Sequence, residues 1–397
     1  MVPNGWETRK LSTLGDGSKP AVKAGPFGSA IKKEYYVSSG YKVYGQEQVI
    51  ADDAFIGDYF IDEEKFQSLK SYSISPGDIL ISLVGTVGRV LLVPENAVPG
   101  IINPRLLRLS LCNSKINGVY IKYFLETEHT KNTLNSWAQG GTMGVLNAEM
   151  LKSLNVLVPP LPEQRKIAKI LSTWDNAIAT TEKLIATSQQ QKKALMQQLL
   201  TGKKRLVNPE TGKVFEGEWE NTHLSNIASI KKGKALSAKN LVSGSYPVIA
   251  GGKSSPYSHV HFTHENIITV SASGAYAGYV SYHPYKIWAS DCSVVTAKPA
   301  NYLGFIFQWL QLNQIRIYSM QSGGAQPHIY PKDLEVMKLR VPKIEEQQKI
   351  ASVLTAADKE IELLEAKLAH FKQEKKALMQ QLLTGKRRVK VTETEAA

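Results

Sequence analysis

KKALMQQLLTGK runs from Lys192 to Lys203 and again, letter for letter, from Lys375 to Lys386. A twelve-residue identity within one chain marks a duplication, and internal repeats decide an architecture before any local propensity does. Working backwards at the same offset, EQRKIAKIL (Glu163 to Leu171) meets EQQKIASVL (Glu346 to Leu354), and Asp175 meets Asp358. Val158-Pro159 meets Val341-Pro342, and Gly140-Gly141 meets Gly323-Gly324. Further back the register changes: Trp6-Glu7 with Leu11-Ser12 matches Trp219-Glu220 with Leu224-Ser225. The layout is variable, constant, variable, constant.

Each constant segment reads as a long helix. Pro162 suits a first helical position, although its counterpart is Glu345. Gly202 and Gly385 suit left-handed C-terminal caps, followed by the basic runs Lys203-Lys204-Arg205 and Lys386-Arg387-Arg388 near the negative end of the dipole. A 4-3 apolar spacing gives a pairing seam: Ile167, Leu171, Trp174, Ile178, Leu195 and Leu199 in the first copy, and Ile350, Leu354, Ile361, Leu364, Leu368, Phe371, Leu378 and Leu382 in the second. Thr181, Ser188 and Lys192 make the first seam more polar, so the helices are expected to pair with each other. Forty residues of helix span about 60 Å, so the pair is a spacer. Antiparallel packing of duplicated helices implies a pseudo-two-fold axis, which matches the local dyads of duplex DNA.

Both variable segments show short β-rich runs punctuated by Gly and Pro. DILISLVGTVGRVLLVP (Asp78 to Pro94) and NIITVSASGAYAGYVSYH (Asn266 to His283) each read as strand, glycine turn and strand, with helices expected over Tyr120 to Ser136 and Leu303 to Met320. The fold class is therefore α+β: two heads, each a small sheet with helices, separated by long helices. Basic and aromatic residues interleave in the heads: Phe27, Lys32, Lys33, Tyr35 and Tyr36 in the first, and Lys231, Lys232, Lys234, Lys253 and Tyr257 in the second. Lys and Arg bind phosphates or guanine edges, and Asn and Gln suit adenine. The candidate DNA contacts are Lys32, Lys33, Arg89, Arg105, Thr142, Lys231, Lys232, Lys234, Lys253 and Gln326, with Arg108 and His328 as further choices.

Composition narrows the class. The 397 residues exceed one ordinary core, and 48 Lys plus Arg against 35 Asp plus Glu give a net charge of +13, which favours a polyanionic partner. The excess is uneven: residues 1–140 hold 15 basic and 14 acidic groups, whereas residues 141–205 hold 10 and 4. Two distant cysteines, Cys112 and Cys292, exclude a disulfide framework. With no apolar signal core or spanning stretch, a cytoplasmic, non-membrane protein is expected. GGKSS (Gly251 to Ser255) lacks the earlier glycine of a phosphate loop, since Pro247 stands there. No zinc-hydrolase, nucleophile-elbow or CxxC motif is present; His259 and His261 alternate, yet no third or fourth metal ligand is apparent. The expected catalytic residues and metals are none.

With these features the chain resembles the specificity subunits of type I restriction-modification systems. The resemblance rests on GWETRKLS and EWENTHLS, on PFGS at Pro26 to Ser29, on VPPLPEQRKIAKIL and VPKIEEQQKIASVL, and on the repeated KKALMQQLLTGK. It implies two target-recognition domains, residues 1–158 and 206–341, two conserved spacer helices forming an antiparallel coiled coil, residues 159–205 and 342–390, and a tail at 391–397. It implies a non-catalytic subunit that reads a split, asymmetric target on double-stranded DNA. Two copies of a methylation subunit and the restriction (translocase and nuclease) subunits are the implied partners, with S-adenosylmethionine, ATP and Mg held by them. The competing expectation from another class is a cytoplasmic coiled-coil scaffold with two ligand-binding heads.

Overall fold

Runs of two to six residues form the strands of the heads, the central ones rich in Ile, Val and Leu, in a computed structural model, which describes residues 2–140, 146–252, 255–323 and 326–391. Thr142 and Lys253, and one member of each Gly-Gly pair (Gly141 and Gly324), lie outside the described residues. The chain divides into two compact units, one of Met1–Thr180 with Leu368–Ala397 and one of Thr181–Lys367. Each unit holds one head and stretches of both long helices, which run over Leu161–Leu199 and Ile344–Leu382.

In the first unit the strands are β1 (Glu7–Lys10), β2 (Val22–Ala24), β3 (Tyr41–Tyr44), β4 (Phe60–Ile61), β5 (Ile79–Ser82), β6 (Val90–Leu92), β7 (Gly100–Ile102), β8 (Leu106–Leu109) and β9 (Asn155–Val158). They make a four-stranded sheet in the order β2-β8-β5-β6, a three-stranded sheet β4-β3-β7 and a two-stranded sheet β1-β9. The strand β5 is buried along its whole length, which is why its sequence, ILIS, lacks the alternation of a half-exposed strand. The second unit contains β10 (Glu220–His223), β11 (Ala228–Lys232), β12 (Tyr246–Ile249), β13 (Ser258–His259), β14 (Ile267–Ser271), β15 (Val280–His283), β16 (Trp288–Ala289), β17 (Cys292–Ala297) and β18 (Lys338–Val341). Their orders are β11-β17-β14-β15, β13-β12-β16 and β10-β18. Strand for strand this is the same topology, down to the single parallel pair in each three-stranded sheet, β3 with β7 and β12 with β16. The openings that matched in sequence occupy the same place: Glu7 faces Val158 and Glu220 faces Val341 in the two-stranded sheets.

The glycine turns of the two hairpins need positive φ at Gly85 and Gly88, and at Gly274 and Gly278. The helix expected over Tyr120 to Ser136 is two helices, Gly118–Glu126 and Glu128–Gly140, because Thr127 turns to extended backbone (ψ 147°) and its Oγ1 accepts the Thr130 N–H. The helix expected over Leu303 to Met320 likewise breaks at Asn313 into Leu303–Leu312 and Gln314–Ser319.

The pairs Glu163-Gln164 and Glu346-Gln347 anchor the long helices. In the first unit Glu163, its side chain only 4% exposed, accepts two bonds from the Arg388 guanidinium (2.6 and 2.7 Å) and one from Trp6 Nε1 (3.0 Å). In the second, Glu346, 2% exposed, accepts two bonds from Arg205 (2.6 and 2.7 Å), whose guanidinium lies 5.9 Å from the Trp219 ring centre. Gln164 and Gln347 repeat one another as well. Each donates to a proline carbonyl, Pro159 or Pro342, and accepts a backbone N–H from the head, at Asn117 or Tyr302. Gly202 and Gly385 end the helices at φ 72° and 70°, turning the chain so that Arg205 and Arg388 reach their carboxylates.

Helix pairing is antiparallel within each unit. In the first, Trp174 meets Phe371 edge-on (5.5 Å), Asp175 pairs with Lys375, and Glu163 pairs with Arg388 further along. In the second, Asp358 pairs with Lys192 while Glu346 pairs with Arg205. Lys192 and Lys375, the lysines of the repeated string that lie on the apolar seam, are therefore partners of Asp358 and Asp175. Ile167, Leu171 and Leu382 join the core of the first head, as Ile350, Leu354 and Leu199 join that of the second. Trp174, Ile178, Leu195, Ile361, Leu364, Leu368, Phe371 and Leu378 are half-buried.

Candidate nucleic-acid interface

Four connections meet at one edge of the first head. The bend Gly25–Ser29 leaves β2, Gly45-Gln46 leaves β3, Leu83–Arg89 joins β5 to β6, and Asn103–Arg105 joins β7 to β8. Backbone bonds tie them together: Gly25 N–H to Leu106 (2.9 Å), Asn103 N–H to Tyr44 (2.9 Å) and Leu83 N–H to Arg105 (3.0 Å). The approach at Gly25 admits no side chain, since a Cβ there would lie 1.9 Å from the Asn103 carbonyl oxygen. Gln46 Nε2 donates to the Val84 carbonyl, and Ser82 Oγ donates to Thr86 and accepts from the Arg89 N–H, so the hairpin turn is braced from inside. Phe27, 87% exposed, projects from the first bend. Leu146 N–H closes the cluster by bonding Leu83 (3.1 Å).

The second head builds the same cluster. Gly233 takes the place of Gly25, and a Cβ on it would lie 2.3 Å from the Ser290 carbonyl oxygen. Ser290 N–H bonds Ile249 (2.8 Å), Ala272 N–H bonds Asp291 (3.1 Å) and Ile329 N–H bonds Ala272 (2.9 Å), matching the three bonds of Asn103, Leu83 and Leu146. By this correspondence Asp291 stands where Arg105 stands in the first head. Its carboxylate accepts the Ser273 hydroxyl; Asp291 is exposed and Ser273 half-buried. The scaffold is one; the side chains it carries differ.

Of the residues expected from sequence, Arg89 and Arg105 are exposed within the first cluster, and Gln326 is exposed beside Pro327, whose carbonyl accepts the Gly274 N–H in the second. His328 joins this cluster through its bridge to Ser273. Lys32 and Lys33 are exposed on a segment held to the three-stranded sheet by Ala30, Ile31 and Tyr36, with Lys32 3.7 Å from Glu34. Lys231 and Lys232 are exposed at the end of β11; Lys232 lies 5.8 Å from the Tyr330 ring centre and Lys234 5.4 Å from that of Trp288. Arg108 is not available to any partner: it lies inside the sheet on β8, its side chain 3% exposed, 4.0 Å from Asp78 and donating to the Ser73 carbonyl. Burial there lowers its pKa, and the nearby carboxylate opposes that shift. Gln46 in the first cluster, and Ser273 and Asp291 in the second, were not anticipated, because nothing in their local sequence shows that strand crossovers bring the connections of each head to one edge.

Neither head assembles a metal centre from its described residues, where no group of three or more His, Cys, Asp and Glu side chains is placed to hold an ion. His259 is instead buried with its Nδ1 against the backbone of Val242. No helix among the described residues is long and apolar enough to cross a membrane.

Each unit also carries a groove at the same place. In the second it is about 580 Å³ and is lined by Leu200, Thr201, Trp309 and Lys338 among others; in the first it is about 410 Å³, with Leu383, Thr384, Phe124 and Asn155 in the matching positions. The residues shared letter for letter are those from the repeated string.

A chain with one head fold used twice, clasped to paired helices and bearing unlike side chains on like loops, belongs to a class of two-headed recognition proteins. The family model described as "Type I restriction modification DNA specificity domain" matches residues 3–188 and 216–373, so the chain belongs to that family. It is 26% identical over 435 residues to the type I restriction enzyme MjaVIII specificity subunit of Methanocaldococcus jannaschii, covering 98% of this chain and 94% of the relative. It is 24% identical to the type I restriction enzyme EcoprrI specificity subunit of Escherichia coli, covering 83% of each. The crystal structure of a type I restriction-modification S subunit from M. genitalium shares the fold, with a TM-score of 0.65, 18% identity and 96% of each chain covered. It is the family match, not the paired helices, that favours a specificity subunit over the scaffold alternative.

Proposed function

We propose that this specificity subunit reads a split, asymmetric sequence on double-stranded DNA, one half with each head, while the long helices set the spacing and dock two methylation subunits. The single observation that carries this reading is the pair of loop clusters: identical backbone bonding, on identical topology, with different side chains. A protein that must keep one set of partners while addressing two half-sites needs this division between constant frame and variable surface. Half-sites about one helical turn apart are the spacing that this reading expects. The recognition domains are assigned to residues 1–158 and 206–341 and the spacers to 159–205 and 342–390.

The duplicated grooves support two equivalent docking places, since a surface present twice binds two copies of one partner. In this reading the chain holds no cofactor. S-adenosylmethionine belongs to the methylation subunits, ATP and Mg to the restriction subunits, and the assembly works in the cytoplasm. Exposed lysines of the heads, Lys32, Lys33, Lys231, Lys232 and Lys234, supply the phosphate contacts that position the heads without reading sequence.

The test is to co-express the chain with its methylation subunit in a host lacking adenine methylation and map modified adenines across the genome. A recurrent two-part motif methylated on both strands is the expected result. A stable complex that modifies no recurrent sequence would overturn the reading.

A further inference from the structure

The loop clusters allow individual readers to be named. Their roles as readers rest on the function proposed above and go beyond it to two positions. Much of the frame repeats between the two heads: the glycine bends, the crossover bonds and the Arg–Glu pairs at the helix anchors recur. The connection from β7 to β8, three residues long, and that from β16 to β17, two residues long, are tied to the frame by matching crossover bonds, yet they present Arg105 in one head and Asp291 in the other. The crossover bonds at both positions are made by backbone carbonyls, so they do not dictate the change from cation to anion in the exposed side chain.

We propose that Arg105 and Asp291 are specificity-determining residues, each reading one base pair in its own half of the target. The Arg105 side chain is exposed and its backbone N–H is held 2.9 Å from Asn103 Oδ1, so a two-pronged guanidinium is presented from a braced turn. Its complement is the O6 and N7 acceptor pair of guanine in the major groove. Asp291 argues in the opposite sense. Phosphate oxygens only accept hydrogen bonds, so an exposed carboxylate facing a polyanion is disfavoured unless a donor meets it. In the major groove the donors are exocyclic amino groups, and Asp or Glu pairs with the cytosine amino group. One oxygen of Asp291 already accepts the Ser273 hydroxyl, which orients the carboxylate and leaves its other oxygen for the base.

The test uses the full chain assembled with its methylation subunit and compares the methylated motifs of the wild type, Arg105→Ala, Arg105→Lys and Asp291→Asn. A wild type without any recurrent split motif refutes the target-reading function itself, and with it this assignment. Given a wild-type motif, Arg105→Lys keeps the charge and loses the fork; it is expected to relax one guanine position in one half, by roughly 5- to 150-fold in preference, and to leave the other half intact. Arg105→Ala is expected to relax the same position. Asp291→Asn retains an oxygen for Ser273 and is expected to move one position of the other half from cytosine toward adenine. An unchanged motif in Arg105→Lys makes Arg105 a phosphate contact and overturns its assignment; an unchanged motif in Asp291→Asn makes Asp291 a structural brace and overturns that one. If both Arg105 variants lose all methylation, competition binding with each base pair of the target replaced in turn decides. Selective tolerance at one guanine supports base reading, and uniform weakening at every position refutes it.

Discussion

Removing Arg205 should strand a carboxylate. Glu346 is 2% exposed and receives two charge-assisted hydrogen bonds from Arg205, while the nearby buried Trp219 Nε1 has no partner among the described residues. Breaking a buried ion pair from one side costs about 3–5 kcal/mol because the remaining charge is uncompensated. Arg205 is itself 23% exposed, so water can enter the space it leaves, and the lower end, about 3 kcal/mol, is expected. For a unit of this size that corresponds to a fall in Tm of about 6–12 °C. Scanning calorimetry of the full chain would follow the transition of the second unit in Arg205→Ala, Glu346→Gln and the double variant. The double variant should be more stable than Arg205→Ala alone, since it exchanges a stranded charge for a neutral amide. A Tm change below about 2 °C for Arg205→Ala, or a double variant no better than the single, would refute the clasp as a stabilising element.

Three further outcomes follow from local chemistry. His283 is buried, accepts or donates at Nε2 with Thr269 Oγ1 (2.9 Å), and burial pushes its pKa down to about 4 from the ordinary 6.5. The unfolded chain therefore takes up a proton first, so the His283 contribution is complete above about pH 6.5 and is lost as the pH falls toward 4; denaturant titrations should show a shallower pH slope over that window in His283→Gln than in wild type. Gly385→Ala should destabilise more than Gly202→Ala in urea titrations. Both residues have positive φ, costing about 1 kcal/mol or more for a Cβ, but at Gly385 the added carbon would also lie 2.2 Å from Pro3 Cγ. Burial pushes the Cys292 thiol up to about 12, whereas Cys112 is half-buried on the surface, so a thiol reagent should modify Cys112 alone in the native chain and both cysteines after unfolding.

Much of the frame was legible because it obeys local rules that leave marks in sequence. The openings at Trp6-Glu7 and Trp219-Glu220 showed as matched sequence, and the hairpins as β-rich runs around Gly85 and Gly88 and around Gly274 and Gly278. The breaks at Thr127 and Asn313 were not legible, because neither residue is a strong helix breaker and helix-compatible residues stand on both sides of each. Arg108 misled for a related reason. Arginine suggests surface and phosphate, but inside β8 its charge is held by Asp78 and backbone carbonyls, a pairing spread over distant parts of the chain.

The repeated string, the Glu-Gln pairs and the capping glycines determined from sequence alone that one unit is built twice and that long helices follow each head, because duplication and helix periodicity are properties of residue order. Tertiary structure decided what those same residues do. Glu163 and Glu346 became the acceptors of Arg388 and Arg205, and Lys375 and Lys192 became partners of Asp175 and Asp358. It also decided which loop residues share a surface. Arg105 and Asp291 are comparable only because two crossing strands hold their connections in the same place, and that equivalence is fixed by backbone hydrogen bonds between segments far apart in the chain.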